Sequence, residues 1–154
     1  MKFLCDQMLA RLGRWLRAAG YDTAIIDKVM IDREIFDLAV QENRFLLTRD
    51  KHFLDIPESS YQVIWLKGNT TDECAKELSE KLKLNWLILP FSRCLVCNTL
   101  LVEAPKNLYD RLPSDIIRQV KPVMYCQNCD QLFWIGSHTQ RMILQLQSWN
   151  TSIY

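Results

Sequence analysis

The 154-residue chain predicts an α/β domain with a parallel sheet over residues 1–89, followed by a small cysteine-bearing unit over residues 90–154. Three observations carry this expectation. Strand-like and helix-like patterns alternate through the first 89 residues with short links, as parallel strands joined by right-handed crossovers do. Pro90 marks a change of character, and two C-x-x-C pairs lie beyond it. A unit of roughly 90 residues can bury a working core alone, whereas one of roughly 60 usually needs a metal, a disulfide or a partner.

Met1 to Cys5 reads as a short buried strand. From Met8 to Ala19 the residues Met8, Leu9, Leu12, Trp15, Leu16 and Ala19 recur on one helical face, with Arg11, Arg14 and Arg17 off that stripe. Gly20 suits the helix stop, and Thr23 to Ile26 reads as a second strand. Asp32 is a good N-cap for a second helix to about Glu42, with Ile35, Phe36, Leu38 and Ala39 as its apolar face. Phe45 to Thr48 is a third strand, and Lys51 to Ile56 is a loop or a single helical turn. Tyr61 to Leu66 follows as a fourth strand. After the Gly68-Asn69 turn, Thr70 and Glu73 form a capping box for a helix running to Leu82, and Trp86 to Leu89 is a further strand candidate. Beyond Pro90 a helix is expected from about Arg111 to Val120, closed by Pro122, and a last one from about Thr139 to Trp149.

Cys94-Leu-Val-Cys97 and Cys126-Gln-Asn-Cys129 are separated by 28 residues. Two residues between thiols let both sulfurs turn toward one point about 2.3 Å from a metal, and two such knuckles complete a tetrahedral four-sulfur site of the kind Zn²⁺ prefers. Four thiolates leave no open position, so the zinc role is structural. Disulfides are the other use of such pairs, but C-x-x-C disulfides are usually redox-active and nothing in the chain looks secreted. Asn98 and Asp130 are the polar turn-formers expected after each knuckle, and the long gap between knuckles marks the Arg111–Val120 helix as an insertion. Cys5 and Cys74 read as core thiols.

Ligands of a parallel sheet bind beyond the carboxyl ends of its strands. Asp6 directly follows the first strand, Asp50 lies two residues after the third, Asp32 starts the second helix, and Asp55 is close enough to fold back. Carboxylates converging there without matching cations repel each other unless they hold a divalent ion, for which Mg²⁺ or Mn²⁺ is suited. Each aspartate singly also has an ordinary reading, Asp6 and Asp32 as helix caps and Asp50 as a loop residue. Arg14, Arg11, Arg49, Lys51 and His52 lie near the same rim, where they would contact phosphates or stand as solvated charges.

Bulk charge adds no argument for nucleic acid: residues 1–89 hold 13 Lys/Arg and 14 Asp/Glu, and residues 90–154 hold 6 and 4. No apolar run approaches the roughly 18 residues that span a bilayer, and the N-terminus is unlike a secretory signal, so a cytoplasmic protein is expected.

Phe3-Leu4-Cys5-Asp6, the run Leu9 to Arg17, Gly20 to Thr23 and Leu46-Leu-Thr-Arg-Asp50 together resemble a PIN-like nuclease domain. With Ser92 to Asn98 and Phe133 to Met142 added, nearly the whole chain resembles the Mut-seven C-terminal RNase family, in which such a domain is fused to a zinc ribbon. The resemblance implies a PIN-type ribonuclease that hydrolyses RNA phosphodiesters with Mg²⁺ or Mn²⁺. Asp6, Asp32 and Asp50 match its acidic positions and Asp55 a fourth, while Glu34, Asp37 and Asp32 compete for the acidic place in the middle of the domain. Arg14, Arg49 and Lys51 would bind flanking phosphates. The rival expectation is a non-catalytic RNA- or protein-binding adaptor that keeps the fold and the ribbon. A receiver-like regulatory domain needs paired acids after the first strand, whereas Asp6 stands alone between Cys5 and Gln7. His138, after Gly136-Ser137, would approach the zinc, touch substrate or simply bond at a helix start, and Trp134 would stack on a base or pack the ribbon against the first unit.

Overall fold

Four short strands, β1 (Lys2–Cys5), β2 (Asp22–Ile25), β3 (Phe45–Thr48) and β4 (Val63–Trp65), pair in parallel in the order β2-β1-β3-β4. The computed structural model describes residues 1–57, 62–119 and 122–150, so Tyr61 and Val120, expected ends of a strand and a helix, lie outside the described residues. Three helices, α1 (Ala10–Ala19), α2 (Asp32–Gln41) and α3 (Thr71–Leu82), clothe the sheet. Because successive strand residues face opposite ways, β1 and β3 each divide their apolar residues between two cores. Phe3, Cys5 and Leu47 meet α1 and α3 on one face, and Leu4 and Leu46 meet Ile35 and Ala39 of α2 on the other. The sheet is therefore buried on both sides, which explains strands that read as continuous apolar runs.

The remainder builds a small antiparallel sheet, β5 (Val102–Glu103), β6 (Met124–Cys126) and β7 (Gln131–Phe133), in that order. Between β5 and β6 sit a 3₁₀ turn at Lys106–Arg111 and the short helix α4 (Ser114–Gln119), with Ala104, Leu112 and Val123 as a local core. The last helix, α5 (Ser137–Asn150), leaves this sheet and packs on the larger unit. Leu146 and Trp149 are fully buried with α1 and α3, Trp149 lies edge-on to Trp15 at 5.1 Å, and its Nε1 donates to Asp72 at 2.7 Å. Each large apolar side chain buried so completely contributes on the order of 1.5–3 kcal/mol.

Several expectations need correction. Trp86 to Leu89 is a turn, not a strand: Trp86 is buried, its Nε1 donates to Ser79 Oγ and its N–H to Asn150, so its bonds go to helices rather than to a ladder. Ile31, not Asp32, caps α2; Asp32 is the first helical residue, and Glu34 reaches back to accept from the Ile31 N–H at 3.2 Å. The helix expected from Arg111 starts later: Arg111 ends the 3₁₀ segment, Leu112 is extended, and α4 begins only at Ser114. Met8 is exposed while Arg17 is buried, the reverse of the helical stripe, because the helical run begins with a 3₁₀ turn at Gln7–Leu9 and Arg17 finds carbonyl partners inside. The Thr70–Glu73 capping box forms as expected, and Cys5 and Cys74 are both buried.

Gly20 ends α1 at φ 103°, and a Cβ there would stand 2.4 Å from the Leu89 carbonyl oxygen. The approach is fixed from the other side too, because Leu89 N–H bonds Ala19 O and Phe91 N–H bonds Ala18 O. Gly20→Ala is therefore expected to lower unfolding free energy by about 1–3 kcal/mol, combining backbone strain and overpacking. Urea denaturation checks this, and an unchanged midpoint would show that the turn can relax away from α1.

Candidate functional site

Strands β1 and β3 are neighbours in space although β2 separates them in sequence, so the crossovers diverge to either side between them. In open parallel sheets such a divergence marks the crevice where ligands bind, at the strands' carboxyl ends. Asp6 and Asp50 flank it. Asp6 is only 8% exposed, and its two oxygens are both engaged: Oδ1 accepts from Leu9 N–H at 3.0 Å and Oδ2 from the Thr48 hydroxyl at 2.5 Å. Thr48 Oγ1 in turn accepts from the Asp50 N–H at 3.0 Å. One hydroxyl at the end of β3 thus ties the two aspartates together. Asp50 Oδ1 accepts from His52 N–H at 2.9 Å and lies 3.0 Å from His52 Nδ1.

Burial pushes the Asp6 carboxyl above its ordinary range, and the bonds from Thr48 and from the backbone of Leu9, Arg49 and Met8 offset this only in part. No cation pairs with Asp6 among the described residues. A desolvated carboxylate without a counter-charge is one that a divalent cation can bind, and Asp6 has that character. Asp32, half-buried at the start of α2, and Asp55, exposed at the end of the 3₁₀ turn Lys51–Asp55, make no hydrogen bond to this pair. Among the described residues no three carboxylates bring ligand atoms within 4.8 Å of one another. Arg14 and Lys51 are exposed, and Arg49 Nη2 donates to Asn69 at 2.8 Å.

The four knuckle cysteines do converge. All four Sγ atoms lie within 4.8 Å of one another, with Cys94–Cys129 at 3.9 Å and Cys97–Cys126 at 3.4 Å, and none is disulfide-bonded. Thiolates at the corners of a tetrahedron with metal bonds of about 2.3 Å stand about 3.8 Å apart. The cluster can therefore hold zinc. Asn98 and Asp130 take left-handed backbone at φ 71° and 52°, which turns each knuckle as their residue type suggests. Asp130 is locked by Arg111 and by the Tyr125 hydroxyl, both at 2.8 Å. Within the cluster the Cys97 thiol falls to about 5, because bonds from Thr99 and the neighbouring thiols outweigh its desolvation. Cys129 is pushed up to about 12, chiefly by its bond with Cys97 and by desolvation.

Two residues that the sequence did not single out join the centres. Arg17 Nε donates to Thr23 O at 2.8 Å, and Nη1 donates to Leu95 O at 3.0 Å and Val96 O at 2.7 Å, inside the first knuckle. Thr48 is the other; its position two residues before Asp50 was the available signal. Asn98 adds a second strap, accepting from Thr23 N–H at 3.0 Å and donating to Asp22 at 2.8 Å. His138 is exposed and, with Trp134, lines a mostly apolar cavity of about 520 Å³ between the small sheet and α5. The Thr139 hydroxyl donates to Trp134 O at 3.2 Å, tying the first turn of α5 to the end of the small sheet.

Over residues 1–146 the chain matches the family described as Mut7-C RNAse domain, and it belongs to that family. No match was found among curated proteins or among solved structures.

Two outcomes follow from these centres. A raised Asp6 pKa means that the folded state keeps a proton the unfolded chain has released, so stability falls as pH rises from the ordinary carboxylate range through the raised value. Without added divalent ion, Asp6→Asn is expected to melt above wild type at neutral pH and level with it in acid; thermal melts across that range check it, and parallel profiles would refute it. The cysteine cluster is expected to take up one equivalent of Zn²⁺, with affinity falling as pH is lowered because protons compete for the thiolates. Elemental analysis and competition with a chromophoric chelator test this, and retention of zinc by Cys126→Ser would contradict it.

Proposed function

We propose that this member of the Mut7-C RNase family is a PIN-type, metal-dependent ribonuclease. The observation that carries the reading is the pairing of Asp6 and Asp50 through the Thr48 hydroxyl at the carboxyl ends of adjacent parallel strands. In this reading Asp6 and Asp50 hold Mg²⁺ or Mn²⁺, Asp32 completes the shell or orients water, and Asp55 supplies a fourth carboxylate. The bound ion supplies Lewis-acid polarisation of a phosphate and a more acidic water. Thr48 fixes the Asp6 carboxylate, so its oxygens need little reorganisation to meet a cation. Arg14, Arg49 and Lys51 bind the phosphates flanking the scissile bond. The proposal includes a division into a PIN-like unit at residues 1–89 and a zinc ribbon at 90–154, with zinc in a structural role, RNA as the partner and the cytoplasm as its location. No helix among the described residues is long and apolar enough to cross a membrane.

One observation favours a second reading. Because no three carboxylates converge among the described residues, an adaptor that binds RNA or protein without cleaving it also accounts for the fold and the cysteine cluster. The two separate on metal dependence. For the nuclease, Asp6→Asn and Asp50→Asn are expected to lower Mn²⁺-dependent cleavage of single-stranded RNA by about a hundredfold or more, the scale of several kcal/mol of charge stabilisation, with far-UV circular dichroism unchanged. Equal cleavage by wild type and Asp6→Asn would overturn it, and RNA binding that survives both Mg²⁺ chelation and loss of Asp6, without cleavage, would establish the adaptor.

A further inference from the structure

We infer that Trp65, flanked by Lys51 and Lys67, is a stacking platform for an unpaired base of the RNA strand entering the Asp6–Asp50 crevice. The inference rests on the ribonuclease reading for its substrate class and adds a recognition element to it. Trp65 is the last residue of β4 and stands directly opposite Thr48 in the parallel ladder. Partners in register present their side chains to the same face of a sheet, so the indole and the hydroxyl that holds Asp6 are neighbours. The indole Nε1 donates to Arg49 O at 3.1 Å, anchoring the ring to the residue between Thr48 and Asp50. Its backbone is fixed as well, since Lys81 Nζ donates to Trp65 O at 2.8 Å. The ring is therefore rigidly placed on the active rim and only half-buried.

Two ammonium groups gather over this ring, Lys51 Nζ at 5.1 Å and Lys67 Nζ at 5.2 Å from its centroid. Both lysines are exposed, and neither pairs with a carboxylate among the described residues. Glu77 is engaged instead by Lys81 at 3.1 Å and by the backbone N–H groups of Lys67 and Gly68. Two ammonium groups drawn to one ring concentrate positive charge locally, which the chain's near-neutral total conceals. An exposed ammonium is held over an indole by a factor of about 2 to 5. A stacked base gains a factor of about 5 to 150. The base therefore wins the ring, and the displaced lysine is left within reach of the phosphate that the base carries with it.

The test uses the full zinc-loaded chain and a fluorescein-labelled single-stranded RNA of roughly 12 nucleotides, within the range of about 4–16 that one such site covers. Affinity is read by anisotropy without added Mg²⁺ or Mn²⁺, so cleavage does not intervene. Trp65→Ala is expected to weaken binding about 5- to 150-fold, Trp65→Phe to retain most of it, and Lys67→Gln to flatten the slope of log affinity against log salt by about 0.7. Circular dichroism establishes that Trp65→Ala is folded; if it is not, the Trp65→Phe affinity and the Lys67→Gln slope decide. Binding by Trp65→Ala equal to wild type, or an unchanged salt slope in Lys67→Gln, would overturn the inference. Cleavage separates it from the reading beneath it: Trp65-dependent binding without cleavage under any divalent ion keeps the platform and removes the nuclease. Equal kcat/KM for wild type and Trp65→Ala keeps the nuclease and removes the platform.

Discussion

A guanidinium buried among backbone carbonyls holds the two halves of this molecule in one arrangement. Arg17 leaves α1, bonds Thr23 O on β2, and ends on the carbonyls of Leu95 and Val96 between the first two knuckle cysteines. Arginine suits this place because its fork keeps its charge when buried and presents donors in fixed directions. Burial weakens its hold on a proton, and the nearby Cys5, Cys97 and Cys94 sulfurs offset this only in part. The cation and the sulfur cluster therefore stabilise each other: thiolates justify a buried positive charge, and that charge offsets part of the cluster's negative one. Asn98 completes the strap by satisfying Thr23 N–H while turning the knuckle in left-handed backbone.

The crevice at the other end of β1 works by the opposite imbalance. Asp6 is buried without a cation, held in place by Thr48 and by the N–H of Leu9, and its ionised form is penalised by the same burial that fixes it. It also caps the 3₁₀ turn Gln7–Leu9 through the Leu9 N–H, as a helix-capping aspartate would. Hydrogen bonding to both oxygens sets its orientation. Strand order gives this meaning: with β1 beside β3, residues far apart in sequence close on one rim, and β4 adds its own C-terminal residue to the same edge.

Apolar periodicity made most elements legible, because strands buried on both faces and helices buried on one leave strong patterns. It failed where tertiary contacts outweighed local preference. Trp86 and its neighbours have strand-forming residue types but spend their polar groups on Ser79 and Asn150. Arg17 looked like a surface charge, since nothing in α1 itself announces carbonyl partners 78 and 79 residues away. Asp32 has the residue type of a cap, yet the helix starts one residue earlier because Glu34 satisfies the Ile31 N–H. Asp6 and Asp50 were legible as rim residues from strand ends, whereas Thr48 between them was not, because a hydroxyl at a strand end is unremarkable until its partner is known.

By itself the sequence determined what periodicity and spacing encode: a parallel α/β unit, four cysteines paired for one tetrahedral centre, and aspartates at strand ends. These depend on contacts within a few residues, or on chemistry specific enough to need no neighbours. Tertiary structure alone decided which carboxylate is desolvated, which hydroxyl joins it to the next, where Arg17 delivers its charge, and how Trp149 on the last helix enters the core of the first unit. Those outcomes arise from groups separated by tens of residues competing for the same buried space and the same hydrogen-bond partners, a competition that no local pattern records.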